Sequence, residues 1–424
     1  MRWRRALGAR CVRSFPQTKE TPSRIAARAA TPILSDVSSG EGQAEAGRVV
    51  VVGGGVAALE GVMALRSLAG DRVSITLLSP ESEFFYRPLS VREPFAYPPA
   101  ERYPLAPFAE QFAVELRHDA FGWVKPHERL LGTEGGQELS YDALLLGLGA
   151  HTHPAFKGVL TIDDRRMDEL LHGVVQDIEE GYTKRVVFIA PSSAAWPLPL
   201  YELALMTGQR AYDMSAQVDF HLITTEDAPL AIFGQGASEA ISQLLNALSI
   251  TVHTSSYAKV ENRRVTLLPN ERQIDDARVI ALPLLKGPSV RGLPTGDEGF
   301  IPVTPYGQVR GVDRVFAAGD AVDFPIKHGG LAAQQADVAA ESIAALAGAD
   351  VTPRKFHPKI RGILLTGREP RYLSAQITGN AGFSSEVSDS CPWSPPEKIS
   401  AEHLSPYLAQ QRAARATATV PPAA

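Results

Sequence analysis

Residues 49–58 read Val49-Val50-Val51-Val52-Gly53-Gly54-Gly55-Val56-Ala57-Ala58, four β-branched residues running straight into a glycine turn. The run predicts a strand buried on both faces. The turn matches G-x-G-x-x-G/A, a pattern whose logic is steric. Gly53 permits the tight strand-to-helix turn, Gly55 lets the backbone approach a pyrophosphate, and small Ala58 lets helix and sheet pack closely. Downstream, Leu59, Val62, Met63 and Leu65 form a helical stripe, Gly70 stands where a C-cap belongs, and Val73, Ile75, Leu77 and Leu78 predict a second strand. The motif therefore sits in a strand-turn-helix-strand unit, where a helix N-terminus can hold phosphates. A ribose-binding acid usually ends the second strand, and here that position is Ser79 with Glu81 just beyond. Either can hydrogen-bond a ribose, and Ser79 to Ser82 can equally be a plain turn.

Working outward, 424 residues with 44% hydrophobic and 21% charged are enough for two or three packed domains. A net charge of −5 gives no basic field of the kind a nucleic-acid binder shows. The two cysteines, Cys11 and Cys391, lie near opposite ends and exclude a disulfide framework, a dithiol pair, a four-cysteine zinc site and a c-type haem. No metal-binding residue is expected. The longest apolar stretch, 49–59, is broken by Glu60, so no transmembrane segment is expected and peripheral membrane contact stays open. Residues 1–34 carry Arg2, Arg4, Arg5, Arg10, Arg13, Lys19, Arg24 and Arg28 against Glu20 alone, net +7, which leaves −12 for the rest. Trp3, Leu7, Cys11 and Phe15 recur every fourth residue, as in an organelle transit peptide. An Ala/Arg-rich leader before a Ser/Gly/Glu run also reads as a disordered extension or an upstream start site. Residues 1–47 are set outside the fold on that reading, and the location expected is cytoplasmic.

Four places together resemble the flavoproteins with two dinucleotide-binding domains, FAD-dependent and pyridine nucleotide-disulfide oxidoreductase-like. The branch in question holds sulfide:quinone reductases, the flavin subunit of flavocytochrome c sulfide dehydrogenase and type II NADH dehydrogenases. The places are the Gly53 turn, Phe85-Tyr86-Arg87-Pro88, Tyr141 to Ala150 ending Leu146-Gly147-Leu148-Gly149-Ala150, and Arg314-Val315-Phe316-Ala317-Ala318-Gly319-Asp320. The resemblance spans 48 to about 350 and implies a non-covalent FAD. It implies that the Gly319-Asp320 pair closes the flavin site, with Asp320 bonding the ribityl chain. It also implies that the Lys327-His328-Gly329 segment, at the start of an alanine-rich helix, approaches the pyrimidine end of the flavin. A cation and a helix dipole there would stabilise charge at N1 and C2=O. The cofactor-binding residues expected are Gly53, Gly55, Val56, Ala58, Ser79, Glu81, Arg87, Gly149, Ala150, Gly319, Asp320, Gly330 and Leu331, with Lys327 as the catalytic group. A solvated surface lysine is the plain alternative for Lys327, and His328 and His151 read equally well as structural histidines.

Residues 183–285 repeat the alternation, with strands expected at 185–190 and 218–223. The turn between them, Pro191-Ser192-Ser193-Ala194-Ala195-Trp196-Pro197-Leu198-Pro199, has no glycine where a backbone should approach a pyrophosphate. NAD(P)H held in the usual mode is therefore disfavoured. The Pro-x-x-x-Tyr-Glu pattern over 197–202 is similar to the sulfide:quinone branch, yet no cysteine lies between Gly53 and Asp320, which argues against sulfide oxidation by redox cysteines. Cys391 sits in a Pro-rich tail whose Trp393, Tyr407 and Leu408 could cover the site or a partner.

The fold expected is α/β, two Rossmann-like dinucleotide-binding domains with the second inserted in the first, plus a small C-terminal segment. The boundaries are 48–155 and 290–348 for the FAD domain, 156–289 for the degenerate insert and 349–424 for the tail. The function expected is an FAD-dependent oxidoreductase passing a hydride or electron pair from a small-molecule donor through flavin N5 to a quinone or other acceptor. An NAD(P)H:acceptor reductase and a catalytically idle flavin-binding scaffold are the alternatives.

Overall fold

The computed structural model describes residues 47–192, 194–378 and 382–418. The leader with its periodic Trp3, Leu7, Cys11 and Phe15, and Ser193 of the second turn, lie outside the described residues. Gly47, assigned to the leader from sequence, already belongs to the first strand.

In chain order the strands of the two large sheets are β1 (Gly47–Val52), β2 (Val73–Leu78), β3 (Glu115–Arg117), β4 (Ala143–Leu146), β5 (Leu160–Thr161), β6 (Arg185–Ile189), β7 (Asp219–Ile223), β8 (Ile250–His253), β9 (Arg278–Ala281) and β10 (Val315–Ala317). The first sheet runs β10-β4-β1-β2-β3 and the second β5-β9-β6-β7-β8, parallel throughout. Both place their glycine-turn strand, or its counterpart β6, at the centre, the doubly wound arrangement whose ligands bind at the carboxyl ends of the strands. The second sheet is built entirely from chain lying between β4 and β10. Where the chain leaves and returns, His151–His153 pairs antiparallel with Leu284–Lys286 in a two-stranded ribbon. His151 is exposed there.

The sequence explains the first layer directly. Val49 to Val52 are at most 3% exposed because both faces of the parallel sheet are covered, Val49 and Val51 by helices and Val50 and Val52 by Val124 and Leu131 of the antiparallel strands Phe121–Lys125 and Leu130–Thr133. Helix α1 (Val56–Ala69) begins at the glycine turn and ends at Gly70, which adopts φ +54°. It packs on the alanine-rich α2 (Gly329–Leu346), with Ala58, Leu59, Leu65, Ala336, Ala339 and Ala340 in a shared core. A β-carbon on Gly61 would stand 2.5 Å from Leu145 Cδ2, so a glycine lets helix and sheet close up. In the second half, the helix Leu198–Asp213 buries Leu200, Tyr201, Leu203 and Leu205 against Phe188 and Leu222.

The tail ties these cores together. A three-stranded antiparallel sheet (Lys359–Leu364, Arg371–Thr378, Gly382–Ser388) buries Ile360, Leu364, Leu373 and Ala375 in the second core. The chain then returns, and Ile399, Leu404, Tyr407 and Leu408 join the first core at the start of α3 (Leu404–Ala418). Tyr407 packs edge-on against Phe108 at 5.6 Å. Trp393 packs edge-on against Tyr372 and donates its indole N–H to the Glu397 carbonyl. No helix among the described residues is long and apolar enough to cross a membrane.

Candidate functional site

A cleft of about 540 Å³ opens at the carboxyl end of the first sheet. Of the residues expected to hold a dinucleotide, Gly53, Gly55, Val56, Glu81, Arg87, Gly149, Gly319, Asp320 and Lys327 line it together. The glycines do separate jobs. Gly53 has φ +117°, and a β-carbon there would lie 2.3 Å from the Gly147 carbonyl oxygen, so the turn closes on the end of β4. Gly55 has an ordinary extended backbone and a β-carbon there would meet nothing within 4 Å. Its missing side chain leaves open cleft, the space a pyrophosphate requires. Gly149, at φ +72°, also faces open space.

Ser79 takes a different place from the one expected. It is fully buried beneath the turn, where a β-carbon on Gly54 would come within 2.6 Å of its Oγ. Its hydroxyl donates to the Glu81 carbonyl and accepts the Glu81 N–H, both at 3.1 Å. Glu81 lines the cleft instead and pairs with Arg165 at 2.9 Å. Ala58, Ala150, Gly330 and Leu331 are likewise not among the residues lining the cleft. Ala58 packs under Gly147, and Leu331, 1% exposed, belongs to the second core.

Beside the first turn of α1, Asp320 follows Gly319, whose φ is +79°, whose β-carbon position would lie 3.2 Å from Ala57 Cβ, and whose N–H donates to Gln335 Oε1 at 2.8 Å. Burial raises the Asp320 carboxyl above its usual range, opposed by Lys327 and Arg87. Lys327 is 8% exposed, which removes the solvated-surface reading. Its ammonium donates to the Val322 carbonyl and lies 3.9 Å from the centre of the Phe300 ring. Burial brings its pKa down to about 8, with Asp320 and Asp323 pulling the other way. His328 is the N-cap of α2; burial, then the Lys398 charge, bring it down to about 4, so it stays neutral at pH 7.

The sequence missed the wall opposite. Glu202 and Lys398, 1% and 9% exposed, line the cleft and bond to each other at 2.7 and 2.8 Å. Glu202 also accepts the Leu365 N–H. Burial raises Glu202 and lowers Lys398, each opposed by its partner. Asp164 lines the cleft as well, and burial pushes its carboxyl up to about 6 against the pull of Arg87. Ile399 completes this side, with its side chain 2.9 Å from the position of a β-carbon on Gly329. Tyr86 fixes the tail above it, its hydroxyl donating to Glu397 at 3.0 Å and accepting the Ile399 N–H at 3.1 Å. The one signal for these residues in sequence was the Tyr201-Glu202 pattern, since Lys398 lies 196 residues away.

The glycine-free second turn forms another wall. Trp196, Leu198 and Pro199 line the cleft, and the Ala195 carbonyl accepts the Lys327 N–H at 3.3 Å. The Trp196 ring lies 4.4 Å from His328 and 5.8 Å from Phe233. Glu226, beyond the end of β7, is occupied by the Tyr201 and Thr224 hydroxyls and the Ala231 N–H. Cys391 is not among the cleft residues; its thiol donates to the Trp393 carbonyl.

No protein-family model and no curated protein matches the sequence. Solved structures do match. The sulfide:quinone oxidoreductase of Aquifex aeolicus superposes with a TM-score of 0.70 at 20% identity, over 81% of this chain and 87% of that one. A ferredoxin reductase of the CYP199A2 system from Rhodopseudomonas palustris gives 0.58 at 18%, over 80% and 88%. A NAD-dependent persulfide reductase from A. fulgidus gives 0.56 at 18%, over 78% and 64%. At these identities the likeness is one of fold: the chain shares with these structures an architecture of two Rossmann-like α/β halves.

Proposed function

We propose that this chain is an FAD-dependent oxidoreductase that moves an electron pair from a small donor to a quinone or another acceptor without redox cysteines. The observation that carries the reading is the single cleft lined by the Gly53–Gly55 turn, Gly149, Gly319-Asp320 and Lys327. Gly53 and Gly55 shape the turn for a pyrophosphate, Arg87 and Glu81 line the same cleft, and Asp320 presents a half-buried acceptor to a polyol. When bound, FAD supplies two-electron chemistry at N5 that no side chain of this protein offers. The protein's own groups then bind, orient and manage protons. Lys327 brings positive charge to a dry part of the cleft, Trp196 and Ile399 exclude water, and the Glu202–Lys398 pair holds a proton within reach of a donor.

The second-domain turn supports a donor other than NAD(P)H. Trp196 and the Ala195 carbonyl occupy the loop against Lys327 and His328, and Glu226 is already bonded within its own domain. Anaerobic mixing of the flavin-loaded protein with NADH, NADPH, sulfide and reduced quinone tests this through the flavin absorbance. NADH and NADPH should bleach it slowly and sulfide should give no covalent adduct. Fast bleaching by NADH at low concentration would move the reading to an NAD(P)H:acceptor reductase. Tight flavin that no donor bleaches would make the chain an idle flavin-binding scaffold.

A further inference from the structure

Glu60 on α1, Asp337 on α2 and His403, the residue preceding α3, each bring one ligand atom to a common point, all within 4.8 Å of one another. None lines the cleft. Glu60 is fully buried, and Asp337 and His403 are half-buried. The two Glu60 oxygens accept the N–H groups of His403 and Leu404 at 2.8 and 2.6 Å, and the Glu60 carboxylate also stands in hydrogen-bonding contact with the Asp337 carboxyl. Asp337 Oδ1 is shut off from solvent and has no hydrogen-bond partner among the described residues. The neighbouring Glu341 is already neutralised by Arg354, whose side chain and backbone both bond to it. Among the described residues no lysine or arginine forms an ion pair with Glu60 or Asp337, although they face each other across the interface of two core helices.

A buried pair of carboxylates with no cation between them is costly, and the interior resolves it with a counter-charge or a shared proton. An imidazole nitrogen beside two carboxylate oxygens is a donor set suited to divalent first-row ions, zinc above all. Three segments far apart in sequence supply it, which is why no spacing motif announced it and no metal was expected. We propose that Glu60, Asp337 and His403 bind one divalent transition-metal ion of the zinc class, with water completing its coordination from the half-exposed side. The ion ties the start of α3 to both α1 and α2. Through residues 397–403 it also steadies the edge of the cleft that Lys398 and Ile399 form. A proton shared between Glu60 and Asp337 is the rival.

The test uses the full flavin-loaded chain, stripped of metal with a chelator and titrated with Zn²⁺ by calorimetry, with Mg²⁺ as the control. One Zn²⁺ per chain should bind saturably, raise the melting temperature and leave the flavin content unchanged. His403→Ala and Asp337→Asn should each weaken Zn²⁺ binding by more than about tenfold. Each variant's far-UV circular dichroism and flavin content are checked against the parent. Absence of saturable Zn²⁺ binding to the parent protein overturns the proposal whatever the variants do and leaves the shared proton. Binding that persists undiminished in both folded variants overturns it too, by placing the ion elsewhere.

Discussion

Gly53 and Gly55 belong to one turn, yet their replacement should damage the protein in opposite ways. Gly55 has φ −99° and ψ −171°, a conformation open to any residue, and a β-carbon there has no neighbour within 4 Å. Gly55→Leu should therefore cost the flavin-free fold no more than about 1 kcal/mol, the scale of a changed N-cap, or about 2 °C in Tm for a chain of this size. The same side chain fills the space a pyrophosphate would use. FAD affinity should fall at least ~100-fold, roughly 2.7 kcal/mol. Gly53→Ala behaves the other way. An alanine at φ +117° carries about 1–3 kcal/mol of backbone strain, and its β-carbon would stand 2.3 Å from the Gly147 oxygen, so β1 and β4 must move apart at the turn. The assay compares melting temperatures of flavin-free parent and variants, because bound ligand adds its own stabilisation, and then measures FAD binding by fluorescence. A Gly55→Leu protein that purifies with full flavin would refute the assignment of this turn.

Lys327→Met should make the flavin potential more negative while flavin content stays near the parent's, and the difference should shrink above pH 8, where the buried amine of the parent loses its proton. Redox titration with reference dyes across pH 6–9 checks it, and a parent and variant that coincide would strike out the role of Lys327. Glu202→Gln or Lys398→Met should each destabilise by about 3–5 kcal/mol, since either leaves a buried charge unpaired, whereas the double variant should recover much of that loss; denaturant melts decide it. His221 is lowered to about 4 by burial and then by His253. With the folded value below the unfolded one, its contribution is fully present above pH 6.5 and is lost as the pH falls towards 4. His221→Leu should flatten the stability profile in that window, and an unchanged profile would count against the neutral buried histidine.

The first sheet was legible because its signals are local. The valine run at 49–52 and the glycine caps at 53–55 and 70 place β1 and α1 within a residue or two of where they stand. The strand at 315–317 and the carboxylate after it follow from one short motif. Tertiary packing decided the rest. Ser79 occupies the position of a ribose-binding acid, but the chain needs its hydroxyl to bind the Glu81 backbone under Gly54, and the outward position passes to Glu81. The wall of Glu202, Lys398 and Ile399 joins a helix of the inserted half to a tail nearly two hundred residues on, and no periodicity in either segment records the pairing.

The missing glycine of the second turn makes physical sense in the same terms. A glycine turn keeps its backbone bare so that a pyrophosphate can come down onto a helix N-terminus. Residues 194–199 have the opposite construction. Two prolines, Pro197 and Pro199, stiffen the entry to the helix at Leu198, and Trp196 adds the largest side chain available. That bulk is spent on the neighbouring cleft, because the ring packs on Phe233 and His328 while the Ala195 carbonyl holds the Lys327 backbone. The repeated β-α-β frame thus serves two ends in one chain. The first copy leaves its turn open for a ligand, and the second presses its own turn against the first copy's lysine-bearing loop. A glycine at 196 would remove the packing against His328 and loosen that loop, so Trp196→Gly should weaken flavin retention without creating affinity for NADH. Fluorescence titration with each nucleotide separates the outcomes, and a variant that gained NADH binding would show that the tryptophan merely blocks a competent dinucleotide site.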